Sequence, residues 1–139
     1  MPSNAPPAPK RAQPPQRRST RPTPALRLRM RVVCDDTIAI GPGKVDLLEA
    51  IQAHRSITAA AKALGMSYRR AWLLVDELNR ALKEPAVETA AGGTGGGGTA
   101  LTPMGERVLA LYRGIEAQAQ AACREEIRQL LATVARPPG

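Results

Sequence analysis

The sequence predicts a mainly α-helical protein with a small β component, and three observations carry that expectation. Apolar residues recur at helical spacing in several separate stretches, Gly and Pro punctuate the gaps, and a few short β-like runs stand outside the helical pattern. Twenty basic residues face twelve acidic ones in 139 positions, with only Tyr68, Trp72 and Tyr112 aromatic, so the chain is small, cationic and aliphatic. No stretch approaches the roughly 18 consecutive apolar residues of a membrane span. The N-terminus also lacks the apolar block of a secretory signal, and the expectation is a cytoplasmic, nucleoid-associated protein with no membrane partner. Cys34, Cys123 and the single His54 are too few for a four-ligand zinc site in one chain. No metal and no cofactor is expected.

The net charge of +8 is unevenly placed. All of it falls in residues 1–31, where Lys10, Arg11, Arg17, Arg18, Arg21, Arg27, Arg29 and Arg31 meet no acid. Residues 32–139 are neutral overall, yet six bases and two acids between Arg55 and Lys83 make a local +4. Residues 1–24 hold eight of the thirteen prolines and almost nothing apolar. Such a segment cannot offset its ordering entropy, and it is expected to be a disordered basic arm, either a tether to a polyanion or a solubilising tail.

The remainder, residues 25–139, is the size of one domain. Residues 26–32 alternate apolar residues with arginine, the pattern of a half-buried strand. Gly41-Pro42-Gly43 breaks the chain, and Val45, Leu47, Leu48 and Ile51 mark a first helix to about His54. Ser56 suits an N-cap; Ile57, Ala60, Ala61 and Leu64 form a second helix that stops at Gly65. Ser67 caps a third, whose Ala71, Val75, Leu78 and Leu82 share one face before Pro85.

Ala61, Gly65 and Ala71 have the spacing of a helix-turn-helix: small residues where the helices cross, glycine where the turn is tight. Residues 86–90 and 99–101 then read as a strand pair around a glycine tip, the wing of a winged helix, in which bare backbone can approach phosphate. The tip also satisfies G-x-G-x-x-G, but it runs into a strand rather than opening a helix, so a nucleotide fingerprint is rejected. Thr102 as N-cap and Pro103 at the first position launch a last helix over 103–135, with Gly114 its weak point. Some 30 helical residues would span roughly 45 Å, more than so small a domain covers, so the apolar seam predicts a symmetric dimer. Packing of its near half on the first strand and helix is the alternative. The predicted fold is thus a winged helix-turn-helix with a long C-terminal dimerisation helix.

Taken in order, Gly43-Lys44-Val45-Asp46-Leu47-Leu48, Ser56 to Ala61, Gly65-Met66-Ser67-Tyr68-Arg69-Arg70-Ala71-Trp72, Asp76-Glu77-Leu78-Asn79, Val87-Glu88-Thr89, the glycine tip and Leu101-Thr102-Pro103-Met104-Gly105 resemble a known group. Over residues 26–133 the chain is similar to the N-terminal DNA-binding domain of the ModE molybdate-responsive transcriptional regulators, whose winged helix is related to the LysR type. The resemblance implies a homodimer on double-stranded DNA, joined through the terminal helix, with two recognition helices in successive major grooves of a palindromic operator. The DNA-contacting candidates it implies are Ser56, Ser67, Tyr68, Arg69, Arg70 and Trp72, with Gly93, Thr94, Gly95 and Gly96 of the wing. Arg69 and Arg70 can read guanine edges or clamp phosphate, Ser67 and Tyr68 can donate to phosphate, and Trp72 is either a contact or a core anchor.

Two departures stand out. The family's wing usually carries a basic residue where this chain has Thr94, which predicts weaker wing contacts, and the oxyanion-sensing residues of its molybdate-binding domains have no counterpart in the sequence. The expectation is therefore a regulator with no molybdate site of its own. The other readings are a protein-interaction module pairing through the long helix, and a redox or metal sensor using Cys34 and Cys123, against which two ordinary buried thiols are the plainer account. With one histidine, no recognisable carboxylate pair and no cofactor loop, an enzyme is not expected.

Overall fold

The structure, a computed structural model, describes residues 23–90 and 98–135. The order is β1 (Val32–Cys34), β2 (Thr37–Ile40), α1 (Pro42–His54), α2 (Ile57–Leu64), α3 (Tyr68–Ala81), β3 (Val87–Ala90), β4 (Gly98–Leu101), α4 (Pro103–Ala122) and α5 (Arg124–Ala132). Among the described residues, 27–122 form one compact unit, and residues 123–135 belong to a second. Residues 1–22 of the expected arm and the wing tip lie outside the described residues.

The helices of the first unit form where periodicity places them, because each has one apolar face to bury. Val45, Leu48 and Ile51 of α1, Ala60 and Ala61 of α2, and Ala71, Val75 and Leu78 of α3 join one core with Val87, Leu101, Val108 and Tyr112. The caps act as the residue types suggest. Ser56 Oγ accepts from the Ala59 N–H at 3.0 Å and Ser67 Oγ from the Arg70 N–H at 3.0 Å. Between α2 and α3, Gly65 adopts φ 70°, a left-handed value natural to glycine, while the Met66 N–H returns to Ala61 O at 3.0 Å.

Residues 27–31 differ from the expected strand. Their alternation is real, with Leu28 and Met30 half-buried and the three arginines exposed, but no strand among the described residues pairs with them. Tyr112 fixes this segment instead: its hydroxyl accepts from the Met30 N–H at 3.0 Å and donates to the Met30 carbonyl at 2.9 Å. Pairing begins only at Val32, in an antiparallel β1–β2 hairpin that turns through Asp35 at φ 54°. Sequence patterning misses this hairpin because Val32, Val33 and Ile38 are all exposed and leave no alternation to read.

The second sheet pairs Val87 with Leu101 and Ala90 with Gly98, the expected wing strands. Its root is closely tied. Asn79 Oδ1 accepts from the N–H groups of Ala86 (2.8 Å) and Val87 (3.1 Å), and Asn79 Nδ2 donates to Val87 O at 3.1 Å. The Ala86 carbonyl accepts from the Thr102 N–H at 2.9 Å. Thr102 Oγ1 donates to Pro85 O at 2.6 Å and caps α4 by accepting from the Gly105 N–H at 3.1 Å. Arg113 ties α4 to α1, donating to Asp46 at 2.9 Å and Glu49 at 3.0 Å while also meeting Glu116 of its own helix at 3.0 Å. Burial works against its charge, but the hydrogen bonds it donates to Asp46, Glu116 and Glu49 outweigh that and raise its pKa above the ordinary arginine value.

The last helix also departs from expectation. It passes through Gly114 without interruption and stops at Ala122; Cys123, at φ −108° and ψ 22°, stands between α4 and α5. Glu125 and Glu126 occupy the first turn of α5, where the positive end of a helix dipole favours acids. Arg128 and Gln129 hold the Glu125 carboxyl below the usual carboxylate range. Cys34 and Cys123 are both exposed and unpaired, which corrects the expectation of buried thiols. No helix among the described residues is long and apolar enough to cross a membrane.

Two substitutions test the wing root. A Cβ at Gly105 would stand 2.1 Å from the Ala86 carbonyl oxygen, so Gly105→Ala is expected to cost about 3 kcal/mol or more in urea unfolding. Asn79→Ala strands two N–H groups of buried residues and is expected to cost about 2 kcal/mol, with hydrogen exchange accelerating first in β3; unchanged β3 exchange would remove Asn79 from the role given it here.

Candidate nucleic-acid interface

The buried and exposed faces of α3 divide its side chains between two tasks. Ala71, Leu74, Val75 and Leu78 are buried, and their packing fixes the roll of the helix. Tyr68, Arg69, Trp72 and Leu73 are left on the outer face, where Tyr68 is 52%, Trp72 37% and Leu73 51% exposed. The core therefore leaves aromatic and apolar side chains of α3 uncovered on that face.

Its geometry is partly pre-arranged. The rings of Tyr68 and Trp72, one helical turn apart, meet edge to face with centroids 6.4 Å apart and planes at 78°. The Trp72 Nε1–H donates to the Tyr68 hydroxyl. Trp72 thus lies on the outer side of α3, 37% exposed and outside the buried core. Ser67, Arg69, Arg70, Trp72, Leu73 and Asp76 together line a shallow depression of about 590 Å³ at the start of the helix. Asp76 is engaged by Arg80 one turn on, whereas Arg69 and Arg70 have no ion-pair partner among the described residues.

Four of the sequence-derived candidates, Ser67, Arg69, Arg70 and Trp72, therefore converge on one depression, with Tyr68 against its tryptophan. Ser56 stands apart from it, half-buried at the start of α2 with its oxygen committed to the Ala59 N–H. Both capping serines retain a hydroxyl proton to donate. Gly93, Thr94, Gly95 and Gly96 lie outside the described residues. Leu73 was not among the candidates, because a leucine in an amphipathic helix reads as core; its exposure is what distinguishes it.

The wing strands are held beside α3 at both ends of the helix-turn-helix. Asn79 fastens β3 to α3, and the Thr99 N–H of β4 donates to the Arg55 carbonyl, 3.1 Å away, in the turn between α1 and α2. Arg55 takes a left-handed conformation at φ 57°, unusual for a side chain of its size, and so presents its carbonyl to the wing. Neither residue carries a sequence signal of this duty beyond an asparagine set inside a helix.

The fold agrees with what known proteins indicate. The molybdenum transport protein ModE of Azotobacter vinelandii is 43% identical over 94 residues, which are 68% of this chain and 35% of that protein. The molybdenum-pterin-binding protein MopB of Rhodobacter capsulatus is 47% identical over 78 residues, 56% of this chain and 29% of that one. The DNA-binding transcriptional dual regulator ModE of Escherichia coli K12 is 38% identical over 87 residues, 63% and 31% of the two chains. The chain thus spans about a third of the length of these relatives. Residues 43–106 match the lysR family of bacterial regulatory helix-turn-helix proteins, and the segment from α1 to the start of α4 is a helix-turn-helix domain of that type.

Proposed function

We propose that the protein is a cytoplasmic, sequence-specific DNA-binding transcriptional regulator that acts as a homodimer on palindromic operators. The observation that carries the first half is the outer face of α3, where Arg69, Arg70, Tyr68, Trp72 and Leu73 are exposed on a helix whose opposite face is wholly committed to the core. An α-helix with its side chains is about 10–12 Å across and the major groove about 12 Å wide, so α3 enters the groove with these residues leading. Arg69 is placed to read a guanine edge and Leu73 to meet a thymine methyl, while the Ser67 hydroxyl and α3's first N–H groups face phosphate. The wing, with its glycine tip, follows the backbone alongside. Ser56 and the tip residues Gly93, Thr94, Gly95 and Gly96 belong to this proposed contact set, and a basic arm over residues 1–24 would add affinity without sequence preference.

Dimerisation rests on the apolar side chains that the domain leaves uncovered. Leu111 and Ile115, one turn apart on α4, are each 54% exposed. A second copy of the same surface covers such a stripe and places two α3 helices about one turn of DNA apart. The relatives named as regulators support this reading of the helix-turn-helix.

Selection from a random duplex library is the direct test: an operator binder enriches a palindrome bound about 10³-fold or more above scrambled DNA, and enrichment of no motif would sink the proposal. Arg69→Ala is expected to cost about 1–3 kcal/mol on the selected site and to relax preference at one base pair in each half-site. Leu111→Asp combined with Ile115→Asp is expected to halve the mass seen by light scattering and weaken binding to the full palindrome far more than to one half-site. A wild-type protein that elutes as a monomer at micromolar concentration would overturn the dimer.

A further inference from the structure

Away from the wing, a second feature borders α3. A cleft of about 740 Å³ lies between residues 29–31, the start of α1 and the side of α3, and Arg29, Arg31, Lys44, Arg70 and Arg80 reach it against only Asp36 and Glu77. The charges inside it are not equally free. Lys44 Nζ donates to Ile38 O at 2.9 Å and sits 3.5 Å from Glu77, and Arg80 pairs with Asp76. Arg29, Arg31 and Arg70 have no ion-pair partner among the described residues, so the cleft keeps an uncompensated positive charge.

Two further facts give this charge a direction. Arg29 and Arg31 flank Met30, whose N–H and carbonyl are both bound by the Tyr112 hydroxyl, and their alternation puts both side chains on the exposed side. They are therefore presented from a pinned backbone rather than a loose end, about 6.6 Å apart along the extended chain. Arg70, in turn, lines both this cleft and the depression at the start of α3. The positive surface is thus continuous from the proposed base-reading face, past Arg70, to Arg29 and Arg31.

We infer that this cleft holds the sugar-phosphate backbone of the duplex whose major groove α3 enters, on the side opposite the wing, with Arg29 and Arg31 as phosphate clamps. The inference rests on the reading of the protein as a DNA binder and adds to the helix-turn-helix two contacts from the segment that precedes it, Arg29 and Arg31. Open, cationic and lined by fork-shaped guanidinium groups, the cleft suits an extended row of phosphate oxygens. Nothing about it discriminates bases, so its contribution falls on affinity and register. Tyr112, by pinning Met30, is a positioning residue for the clamp.

The test compares the full chain with its Arg29→Gln/Arg31→Gln variant, binding a selected duplex and a scrambled one by fluorescence anisotropy across a range of salt concentrations. Each phosphate contact contributes about 0.9 to the slope of log affinity against log salt, so the variant's slope should fall by about 2 on both duplexes. The order of preferred sequences should not change. Arg29→Lys/Arg31→Lys should restore most of the slope, and Tyr112→Phe, which keeps every charge, should weaken both duplexes alike. An unchanged slope, or a loss confined to the selected duplex, overturns the clamp. A wild-type chain without sequence preference whose slope nonetheless drops in the variant would leave the clamp standing and refute the specific reader; no binding to either duplex would refute both. Both arginines are exposed, and matched thermal melting of the variants separates lost contacts from lost fold.

Discussion

The peptide between Pro85 and Val87 is the constraint on which the rest of the domain depends. Ala86 is fully buried, and its backbone is used from every side: its N–H by the Asn79 carboxamide, its carbonyl by the Thr102 N–H, and the space over that carbonyl by a residue that must be Gly105. Three elements are referred to this one point. α3 arrives through Asn79, the wing departs through Val87, and α4 begins at Thr102, whose hydroxyl reaches Pro85. A short polar side chain set in a helix interior usually competes with the helix; here Asn79 satisfies backbone groups of the next segment, which have no strand partner at that position. The cost of an asparagine inside a helix is offset by groups that would otherwise be buried unpaired.

From that point the domain is organised by α4. Its first turns close over the wing root, Tyr112 reaches back to Met30, and Arg113 collects Asp46 and Glu49 of α1. Exposed ion pairs are individually worth little, but Arg113 meets three carboxylates at once, and without it those three would face one another. α3 is consequently bordered on one side by the wing and on the other by the arginine segment, and both borders are fixed by the same helix. The uncovered leucine and isoleucine of α4 belong to the element that sets both, which ties the proposed pairing of two copies to the placement of everything that would touch DNA.

The helices and their limits were legible because each obeys a local rule. Ser56, Gly65 and Ser67 occupy the caps and the turn their chemistry suits, and Pro42, Pro85 and Pro103 fall where helices start or strands must be approached. The wing strands were legible from the glycine tip between two β-prone runs. What escaped depends on contacts distant in sequence. Asn79 and Ala86 are joined by a hydrogen bond that no periodicity signals, and the β1–β2 hairpin buries too little to leave a pattern. The interruption at Cys123 falls inside an unbroken run of good helix formers. For the site, the residue types opening α3 were readable, but their convergence was not, and neither was the alliance of Arg70 with Arg29 and Arg31 forty positions away in sequence. Trp72 was ambiguous for a physical reason: on a helix of this pattern an indole fits either at the edge of the core or just outside it.

That position of Trp72 has an optical consequence. The protein has a single tryptophan, and it stands on the outer face of α3 at 37% exposure, hydrogen-bonded to Tyr68, while the buried aromatic ring of the core is Tyr112. Indole emission therefore reports the polarity around the outer face of α3, whereas the two tyrosines divide, Tyr68 beside the indole and Tyr112 in the core. One unlabelled chromophore, selectively excited, thus watches a single face of a single helix.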